Sequence, residues 1–392
     1  MGQIFNRGFT KRIDYPLVIT LASLLLIGLM MVYSSSFDFG YIQFGQPTHF
    51  FSKQITWTLL GTAGLIAMMS IEYHTWRRLS VPLMAGALFL LILVLLVGKE
   101  RLGSVRFLFG GSVQPSELCK LIIIIYISDW LSSKGERIRI VTYGLVPFAI
   151  LIGVVAGLIV MQPDFSTAIL IVITAMAMFF IAGADILQLI IGFIFGGASF
   201  GFLIYRSGHA LERVKEYLGS FGGTNVDYHV QQNLAALESG GIFGTGLGNG
   251  LYKLGILPFA HNDSIFAVLG EELGLVGCLL VIGLFAALAY RGFRVALEAP
   301  DDFGTVLAAG LTCWLIFQAL INIAVTTATM PFTGIPLPFI SYGGSSLAVS
   351  MAGVGLLLGI SKGTLEERSE ESAHYDFRRR DWRPRVSNTR RR

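Results

Sequence analysis

Long apolar runs separated by short polar connections dominate the chain. Ten of them have a length and composition suited to crossing a membrane as helices. The predicted spans are residues 15–35, 54–70, 80–98, 117–132, 143–161, 165–183, 186–205, 264–290, 304–329 and 346–361. We therefore predict an all-α polytopic membrane protein of about ten transmembrane helices, with residues 15–361 as its membrane domain.

The composition agrees with this prediction. Of the 392 residues, 54% are hydrophobic and 14% are charged, and the mean hydropathy is +0.67. Such a chain has too little polar surface to cover a water-soluble globule. No small-residue cleavage site follows the first apolar run, so we expect that run to remain as an anchor. Cys119, Cys278 and Cys313 all fall inside predicted spans without paired spacing, which predicts neither a disulfide framework nor a zinc site.

Basic residues in the short connections fall on one side of a ten-span topology. They are Arg7, Lys11, Arg12, Arg77, Arg78, Lys134, Arg137, Arg139, Arg291 and Arg294. The positive-inside bias makes this side cytoplasmic and places both termini there, namely residues 1–14 and a basic tail, residues 362–392. The tail carries much of the excess of basic residues that gives the chain its net charge of +4. We expect it to be disordered and close to anionic lipid headgroups, with no nucleic acid as partner.

The same topology places four connections rich in glycine and proline on the outer side, at residues 102–116, 162–164, 206–263 and 331–345. The longest lies between the seventh and eighth spans and is expected to contain short amphipathic helices. Its glycine-rich stretch, residues 238–250, has the composition of a phosphate cradle but follows no predicted strand and matches no Walker or dinucleotide fingerprint, so a flexible, close-packed loop is favoured. We find no P-loop, and hence expect no nucleotide cofactor.

Three carboxylates stand at or inside the start of the eighth span. Carboxylates in hydrocarbon are costly and usually functional. Asp263 lies at the entrance, where it is either the N-cap of the helix or a catalytic carboxylate, and its local sequence does not decide between the two. Glu271 and Glu272 lie two turns deeper, and we expect them to stabilise neighbouring helices or loops.

Two other outer connections also carry polar groups. Glu117 and Lys120 are three residues apart at the start of the fourth span and can pair on one helix face. The pair is either structural, with Ser116 as a cap, or holds a charged group of a substrate. Asp164 is best explained as the cap of the sixth span. Residues 331–346 mix prolines, glycines and apolar residues, which predicts a re-entrant loop lining a lipid-facing groove.

These motifs together resemble one family. Gln114-Pro115-Ser116-Glu117 with Lys120, Gln162-Pro163-Asp164, the glycine-rich stretch 240–248, His261-Asn262-Asp263 before Gly270-Glu271-Glu272, and residues 331–346 occur in the order typical of SEDS proteins, the FtsW/RodA/SpoVE-like peptidoglycan polymerases. The resemblance covers about residues 14–362. The end of the first span, Met31 to Ser36, and the basic tail are more similar to the FtsW-like division branch than to the RodA-like branch.

The resemblance implies a peptidoglycan glycosyltransferase that polymerises lipid II at the outer face of the cytoplasmic membrane during division or elongation. Joining an α-linked donor through a β-1,4 bond inverts the donor carbon, so one displacement with one general base suffices, and Asp263 is the candidate base. Candidate substrate-binding residues are Lys120, Glu117, Arg106, Arg213, Lys215, Lys253, His261 and Ser341. A divalent cation, Mg or Mn, is a further expectation, although no ligand cluster specifies a metal site.

The chain lacks the Ser-x-x-Lys arrangement of a transpeptidase, so a class B penicillin-binding protein of the FtsI-like kind is the expected partner, together with other division proteins. Two other functions stay open. A ten-helix bundle with charges inside it also fits a lipid II flippase, and a non-catalytic scaffold for a transpeptidase fits the same pattern. The short, ordinary connections on the inner side favour the enzyme.

Overall fold

The computed structural model describes residues 13–97, 99–101, 104–107, 114–206, 211–212, 215, 219, 228–257 and 260–380. Its helices are α1 (Tyr15–Phe44), α2 (His49–Ser70), α3 (Tyr73–Val97), α4 (Pro115–Ser132), α5 (Leu145–Val160), α6 (Phe165–Ile181), α7 (Ile186–Arg206), α8 (Tyr228–Gly240), α9 (Ile265–Glu298), α10 (Asp302–Thr326) and α11 (Gly344–Arg380). A short antiparallel hairpin, β1 (Lys99–Arg101) and β2 (Ser104–Phe107), precedes α4.

Each predicted span coincides with a helix, which confirms the helical membrane-protein fold. Among the residues that the structure describes, six helices, α1, α3, α7, α9, α10 and α11, are long and apolar enough to cross a membrane, and α5 and α6 are shorter apolar helices. α8 lies inside the long connection, as expected for a short helix there. α11 begins at Gly344 and its backbone stays helical to Arg380. It therefore continues past residue 361, into the segment for which we predicted disorder.

Ion pairs and hydrogen bonds gather the basic connections at one end of the bundle, here called the basic end. Arg77 at the start of α3 binds Asp129 near the end of α4, with Nε and Oδ1 3.1 Å apart. Arg291 in α9 binds Asp14, which caps α1. Between the connections after α4 and α6, Arg139 Nε donates to the Gly183 carbonyl at 3.4 Å.

The opposite end gathers the polar connections, as the sequence predicted. Gln114, just before α4, donates to Asp164 at 3.0 Å, and Asp164 caps α6 by accepting from the Thr167 amide at 3.2 Å. Ser166 in the first turn of α6 donates to the Thr333 carbonyl. The connections before α4, α6, α9 and α11 therefore meet in one place, here called the polar end.

α10 is the central helix, because 78% of its most apolar stretch is buried inside the protein. The corresponding share for the peripheral helix α7 is 11%. Residues 331–343, here called the re-entrant loop, fold back along α10. Gln318 donates to the Pro336 carbonyl at 3.0 Å, and Gln318 lies eight residues before the end of α10, or roughly 12 Å along its axis. Protein surrounds this part of the loop, as irregular backbone at such depth requires: Leu337 and Ile340 are fully buried.

Gly28 of α1 lets this helix lie directly on the re-entrant loop. A Cβ at position 28 would stand 2.2 Å from the Phe339 carbonyl oxygen and 2.8 Å from the Ile340 Cα. No side chain fits at that distance, so the close approach of α1 depends on glycine.

Candidate active site

Asp263 stands at the polar end in the turn that leads into α9. The N-cap position of α9 belongs to Ser264, whose side chain makes no capping hydrogen bond. The N-cap of α9 is therefore Ser264 and not Asp263, as one of the two interpretations had it. Asp263 is partly exposed as a residue, although its Oδ1 is buried, and a Cβ added to Gly334 of the re-entrant loop would lie 3.4 Å from its Oδ2. The glycine at position 334 leaves space beside Oδ2, the carboxylate oxygen that faces the re-entrant loop.

Three consecutive carbonyls around Asp263 are each fixed by a donor from another segment. The Tyr342 amide donates to the His261 carbonyl at 2.9 Å. Ser341 Oγ donates to the Asn262 carbonyl at 2.7 Å, and Asn322 Nδ2 donates to the Asp263 carbonyl at 2.8 Å. The backbone that carries the carboxylate is thereby tied to α10 and to the re-entrant loop.

Ser341 has a different role from the one that the sequence suggested. Its side chain is 3% exposed, and its hydroxyl also accepts from the Leu337 amide at 2.7 Å. With both functions of the hydroxyl used inside the protein, Ser341 positions the turn of Asp263 and does not face a ligand in this arrangement.

A buried cluster surrounds Lys120 on α4. Lys120 Nζ lies 2.9 Å from Glu117 Oε2 and 3.2 Å from Gln318 Oε1, and 5.6 Å from the centre of the Trp314 ring. Lys120 is only 2% exposed. The predicted pair forms, and burial gives it a low-dielectric setting in which losing either partner is costly. Lys120 reaches a substrate only if this part of the bundle opens.

Gln318 and Asn322 connect the Lys120 cluster with Asp263. They are four residues apart on α10 and therefore share a face. Gln318 Oε1 accepts from Lys120 and from Trp314 Nε1, the latter at 3.1 Å. Asn322 Nδ2 donates to the Ile335 carbonyl at 2.8 Å as well as to Asp263. The sequence analysis missed both residues, although two amides at helical spacing inside an apolar span are a signal that could have found them.

Lys253, a predicted cation for the substrate, is engaged elsewhere. Its Nζ lies 2.6 Å from Glu272 Oε1, 2.9 Å from Ser34 Oγ and 2.8 Å from the Gly248 carbonyl. Its side chain is 5% exposed. Its charge is neutralised by Glu272, and these contacts attach the long connection to α1 and α9. The structure thus does not bring Lys253 together with Asp263 or Lys120.

The glycine-rich stretch packs into a break in α9. At Gly274 the backbone has φ 66° and ψ −166°, a conformation nearly restricted to glycine. The peptide groups that the break releases bond to this stretch: the amides of Thr245 and Gly246 donate to the carbonyls of Glu271 and Glu272, and the amides of Leu275 and Val276 donate to the carbonyls of Gly241 and Ile242. These N–H groups serve packing, as the close-packed interpretation predicted, and not an anion.

The two deeper glutamates hold this stretch, as expected. Glu271 Oε1 accepts from the Leu251 amide at 2.5 Å and from the Tyr252 amide at 3.2 Å. Glu272 accepts from Ser34 Oγ at 2.6 Å in addition to its pair with Lys253. Glu272 is thereby paired inside the protein, and Glu271 is held through Oε1 alone, because its buried Oε2 has no hydrogen-bond partner among the described residues.

His261 lies in an aromatic cluster at the polar end. Its ring centre is 4.7 Å from that of Phe50, 5.3 Å from that of Phe39 and 5.6 Å from that of Tyr342. Burial lowers the pKa of His261 to about 4, because the charged imidazolium is poorly solvated there. His261 is therefore neutral near pH 7 and contributes packing, not positive charge, beside Asp263.

The remaining predicted cations are only partly described. Arg106 lies in β2 beside α3 and α4, and its side chain falls outside the described residues. Arg213 also falls outside them. Lys215 is described as helical and exposed. Among the described residues, no group of three or more His, Cys, Asp or Glu side chains gathers into a metal site.

Comparison with known proteins gives consistent matches along nearly the whole chain. A family model described as a cell cycle protein, FtsW/RodA/SpoVE, matches residues 15–366. A relative from Trichlorobacter lovleyi, named probable peptidoglycan glycosyltransferase FtsW, is 36% identical over 375 residues, covering 93% of this chain and 97% of its own. Stage V sporulation protein E of Bacillus subtilis is 39% identical over 357 residues, covering 89% of this chain and 97% of its own.

A solved structure has the same fold. It belongs to a peptidoglycan synthase complex described as coordinating polymerization and crosslinking. The match has a TM-score of 0.74 at 27% sequence identity and covers 90% of this chain and 98% of the solved one. The arrangement of helices around Asp263 and Lys120 is therefore similar to that of a protein that works within a synthase.

Proposed function

The chain belongs to the FtsW/RodA/SpoVE family, and from this we propose that it is a peptidoglycan glycosyltransferase that polymerises lipid II into glycan strands. The observation that carries the proposal is Asp263 at the polar end of the bundle, in a turn that is fixed by three hydrogen bonds to the carbonyls of residues 261–263. The name of the Trichlorobacter lovleyi relative and the description of the structural neighbour support the same activity.

The proposed reaction is a single displacement. The 4-hydroxyl of the acceptor sugar attacks the anomeric carbon of the donor, whose bond to the lipid pyrophosphate breaks, and Asp263 takes the hydroxyl proton. A general base contributes about 10²- to 10⁴-fold to such a step. The fixed backbone of Asp263 favours this role, because a base that is held in place loses little orientation when the acceptor binds.

The leaving pyrophosphate needs positive charge close to it. Lys120 is the candidate nearest in the network to Asp263, through Gln318 and Asn322, and its burial requires an opening of the bundle when substrate enters. Arg106, Arg213 and Lys215 remain candidates, with Arg213 outside the described residues. Lys253 is better explained as an anchor of the long connection, given its pair with Glu272.

A divalent cation is compatible with this site only as part of the substrate complex. Mg²⁺ is commonly bound through one or two carboxylates together with substrate phosphates. Asp263 offers one such carboxylate, and the pyrophosphate would offer the rest. When bound, the ion would neutralise charge on the leaving group, while Asp263 and the α10 amides keep the positions described above.

We further propose that the polar end faces the outside of the bacterial cytoplasmic membrane and that both termini are cytoplasmic. The basic end supports this orientation, since short cytoplasmic connections carry an excess of Lys and Arg. For crosslinking, the chain would need a class B penicillin-binding protein, which the described structural neighbour supports by combining polymerization with crosslinking.

The decisive experiment separates a polymerase from a flippase or a scaffold. Purified protein is reconstituted in liposomes with fluorescent lipid II, and glycan strands are resolved on a gel while a parallel sample measures transfer of the headgroup between leaflets. Strands formed by this chain alone support the proposal. Headgroup transfer without strands would identify a flippase, and neither activity would leave a scaffold.

A further inference from the structure

An apolar groove of about 300 Å³ lies between α3, α4 and α5, away from Asp263. Leu88 of α3 and Leu151 and Val154 of α5 line it with apolar side chains, and Tyr126 and Trp130 of α4 line it with side chains that carry a hydroxyl and an indole N–H. A volume of this size is at the lower limit of ordinary ligand pockets. The groove is open on its side, and Val154 and Ile150 on its rim are 50% and 63% exposed.

One end of the groove coincides with the basic end of the bundle. Trp130 lies two residues before the end of α4 at Ser132, and Pro147 lies two residues after the start of α5 at Leu145. The connection between them forms a 3-10 turn, Gly135–Arg139. An occupant of the groove would therefore have one end beside this connection.

The connection carries an excess of positive charge. Lys134 Nζ lies 5.0 Å from the centre of the Trp130 ring, so this cation is placed directly at the groove. Arg137 is exposed, and Arg139 contacts only a carbonyl, that of Gly183 at 3.4 Å. None of these three cations forms an ion pair with another described residue. Glu136 is the one carboxylate of the connection, leaving it net positive.

The carboxylate of Asp129, close to the groove, is already neutralised. Asp129, next to Trp130, binds Arg77 at 3.1 Å and accepts from Ser80 at 2.6 Å. Asp129 therefore adds no free negative charge at the end of the groove beside Trp130.

The Tyr126 hydroxyl, one helical turn deeper than Trp130, makes no hydrogen bond to any described residue. A polar donor inside an apolar groove suits the ester carbonyl of a lipid.

We propose that this groove binds an anionic glycerophospholipid, with an acyl chain along α3 and α5 and the phosphate at Lys134 and Arg137. An apolar channel ending at unpaired cations is the arrangement by which basic pockets between membrane helices select acidic lipids. The occupant is a structural lipid and not the lipid-linked substrate, because the substrate's sugar must reach Asp263 at the opposite end of the bundle.

The test is lipid binding to the purified full-length protein. Phosphatidylglycerol and phosphatidylcholine with matched acyl chains are titrated in detergent and counted by native mass spectrometry. Phosphatidylglycerol should bind on the order of tenfold tighter, the effect expected of one or two cations near a phosphate. The double variant Lys134→Gln and Arg137→Gln should lose this preference. Arg294→Gln, which removes an exposed cation at the same end on α9, should keep it.

Location is tested separately with a photoactivatable acyl chain on phosphatidylglycerol. Adducts should map to α3, α4 and α5, and Val154→Trp, which fills the groove, should remove them while the helical content and melting temperature stay unchanged. Equal binding of the two lipids, adducts on other helices, or displacement of phosphatidylglycerol by undecaprenyl diphosphate would each overturn the proposal. Since binding and not polymerisation is measured, the preference for phosphatidylglycerol is read independently of the proposed function, and only the exclusion of the lipid-linked substrate rests on that function.

Discussion

The turn that carries Asp263 is held by side chains from two other segments, and Asn322, from the central helix, donates to the Asp263 carbonyl itself. Asn322 Nδ2 is shared between the carbonyls of Asp263 and Ile335, both at 2.8 Å. A single amide thus fixes the turn of the proposed base relative to the re-entrant loop. A displacement of about 1 Å in such a site can cost roughly 10²-fold in rate.

We therefore expect Asn322→Ala to lower the polymerisation rate by about 10- to 100-fold while the protein stays folded, because the base is no longer held in place. The measurement is strand formation from lipid II together with a melting curve. Ser350→Ala is the matched control, since Ser350 is a buried hydroxyl on α11 with no hydrogen-bond partner among the described residues. Equal rates for the two variants would remove Asn322 from the site.

His261 gives a prediction about pH. Its pKa is about 4 in the folded protein, below the ordinary value of 6.5, because burial among aromatic rings disfavours the charged form. The unfolded chain therefore takes up the proton first, so this contribution to stability is complete above pH 6.5 and is lost as the pH falls toward 4.

Between about pH 7 and about pH 5, the melting temperature of the wild type should fall more than that of His261→Phe, which keeps the ring but cannot titrate. Differential scanning fluorimetry in detergent across this range measures the two slopes. Identical slopes would show that His261 has the same pKa in the folded and the unfolded chain, so that burial does not lower it.

At the scale of single residues, the sequence identified several of the polar side chains at the site. It was less successful in predicting which residues they bind. Glu117 and Lys120 pair as expected, because three residues of helix fix their spacing. Lys253 and Ser341 were predicted to bind the substrate. In the structure Lys253 binds Glu272, and Ser341 binds the turn at Asn262. Those partners lie far away along the chain, and only tertiary packing brings them together.

The broken helix α9 is the main feature at the scale of elements. Its first part carries Asp263 at its entrance and its remainder continues to the basic end, with Gly274 between them. Hydrogen bonds from the glycine-rich stretch replace those lost at the break. The sequence predicted α9 as one uninterrupted span, because a single glycine in an apolar run is tolerated by most membrane helices and does not by itself indicate a break.

Gly274→Ala should be destabilising by about 1 to 3 kcal/mol, because φ is positive there and the backbone conformation is nearly restricted to glycine. The new Cβ would also stand 2.3 Å from the Gly244 amide nitrogen. Gly283→Ala in the same helix is the matched control, since a Cβ there meets nothing within 4 Å. Thermal unfolding in detergent compares the two, and equal melting temperatures would argue that α9 is continuous in solution.

For the whole molecule, hydropathy was sufficient to predict the helices and the end at which the polar connections meet, because spanning length and the count of spans determine both. It could not predict how the helices pack. The central position of α10 and the insertion of the re-entrant loop beside it depend on close approaches such as that at Gly28. Such contacts leave no periodic signal in the sequence.

The orientation of the molecule is open to direct test by cysteine labelling. Gly222→Cys, in the long connection, should react with an impermeant maleimide added to intact cells whose outer layers are permeable to it, and Arg137→Cys, at the basic end, should react only after lysis. The native cysteines at 119, 278 and 313 are buried and should give little background. The reverse pattern would place Asp263 on the cytoplasmic side, where it could not polymerise an exported substrate.

The central claim is that the Asp263 carboxylate is the base that activates the acceptor sugar. The most direct measurement is the rate of glycan strand formation from lipid II by purified Asp263→Asn protein, with Asp302→Asn as control for an exposed aspartate at the basic end. The account predicts a fall of at least about 10²-fold for Asp263→Asn and no change for the control, with both proteins folded. A rate for Asp263→Asn within about twofold of wild type would contradict it, because an amide cannot accept the proton that the mechanism assigns to this position.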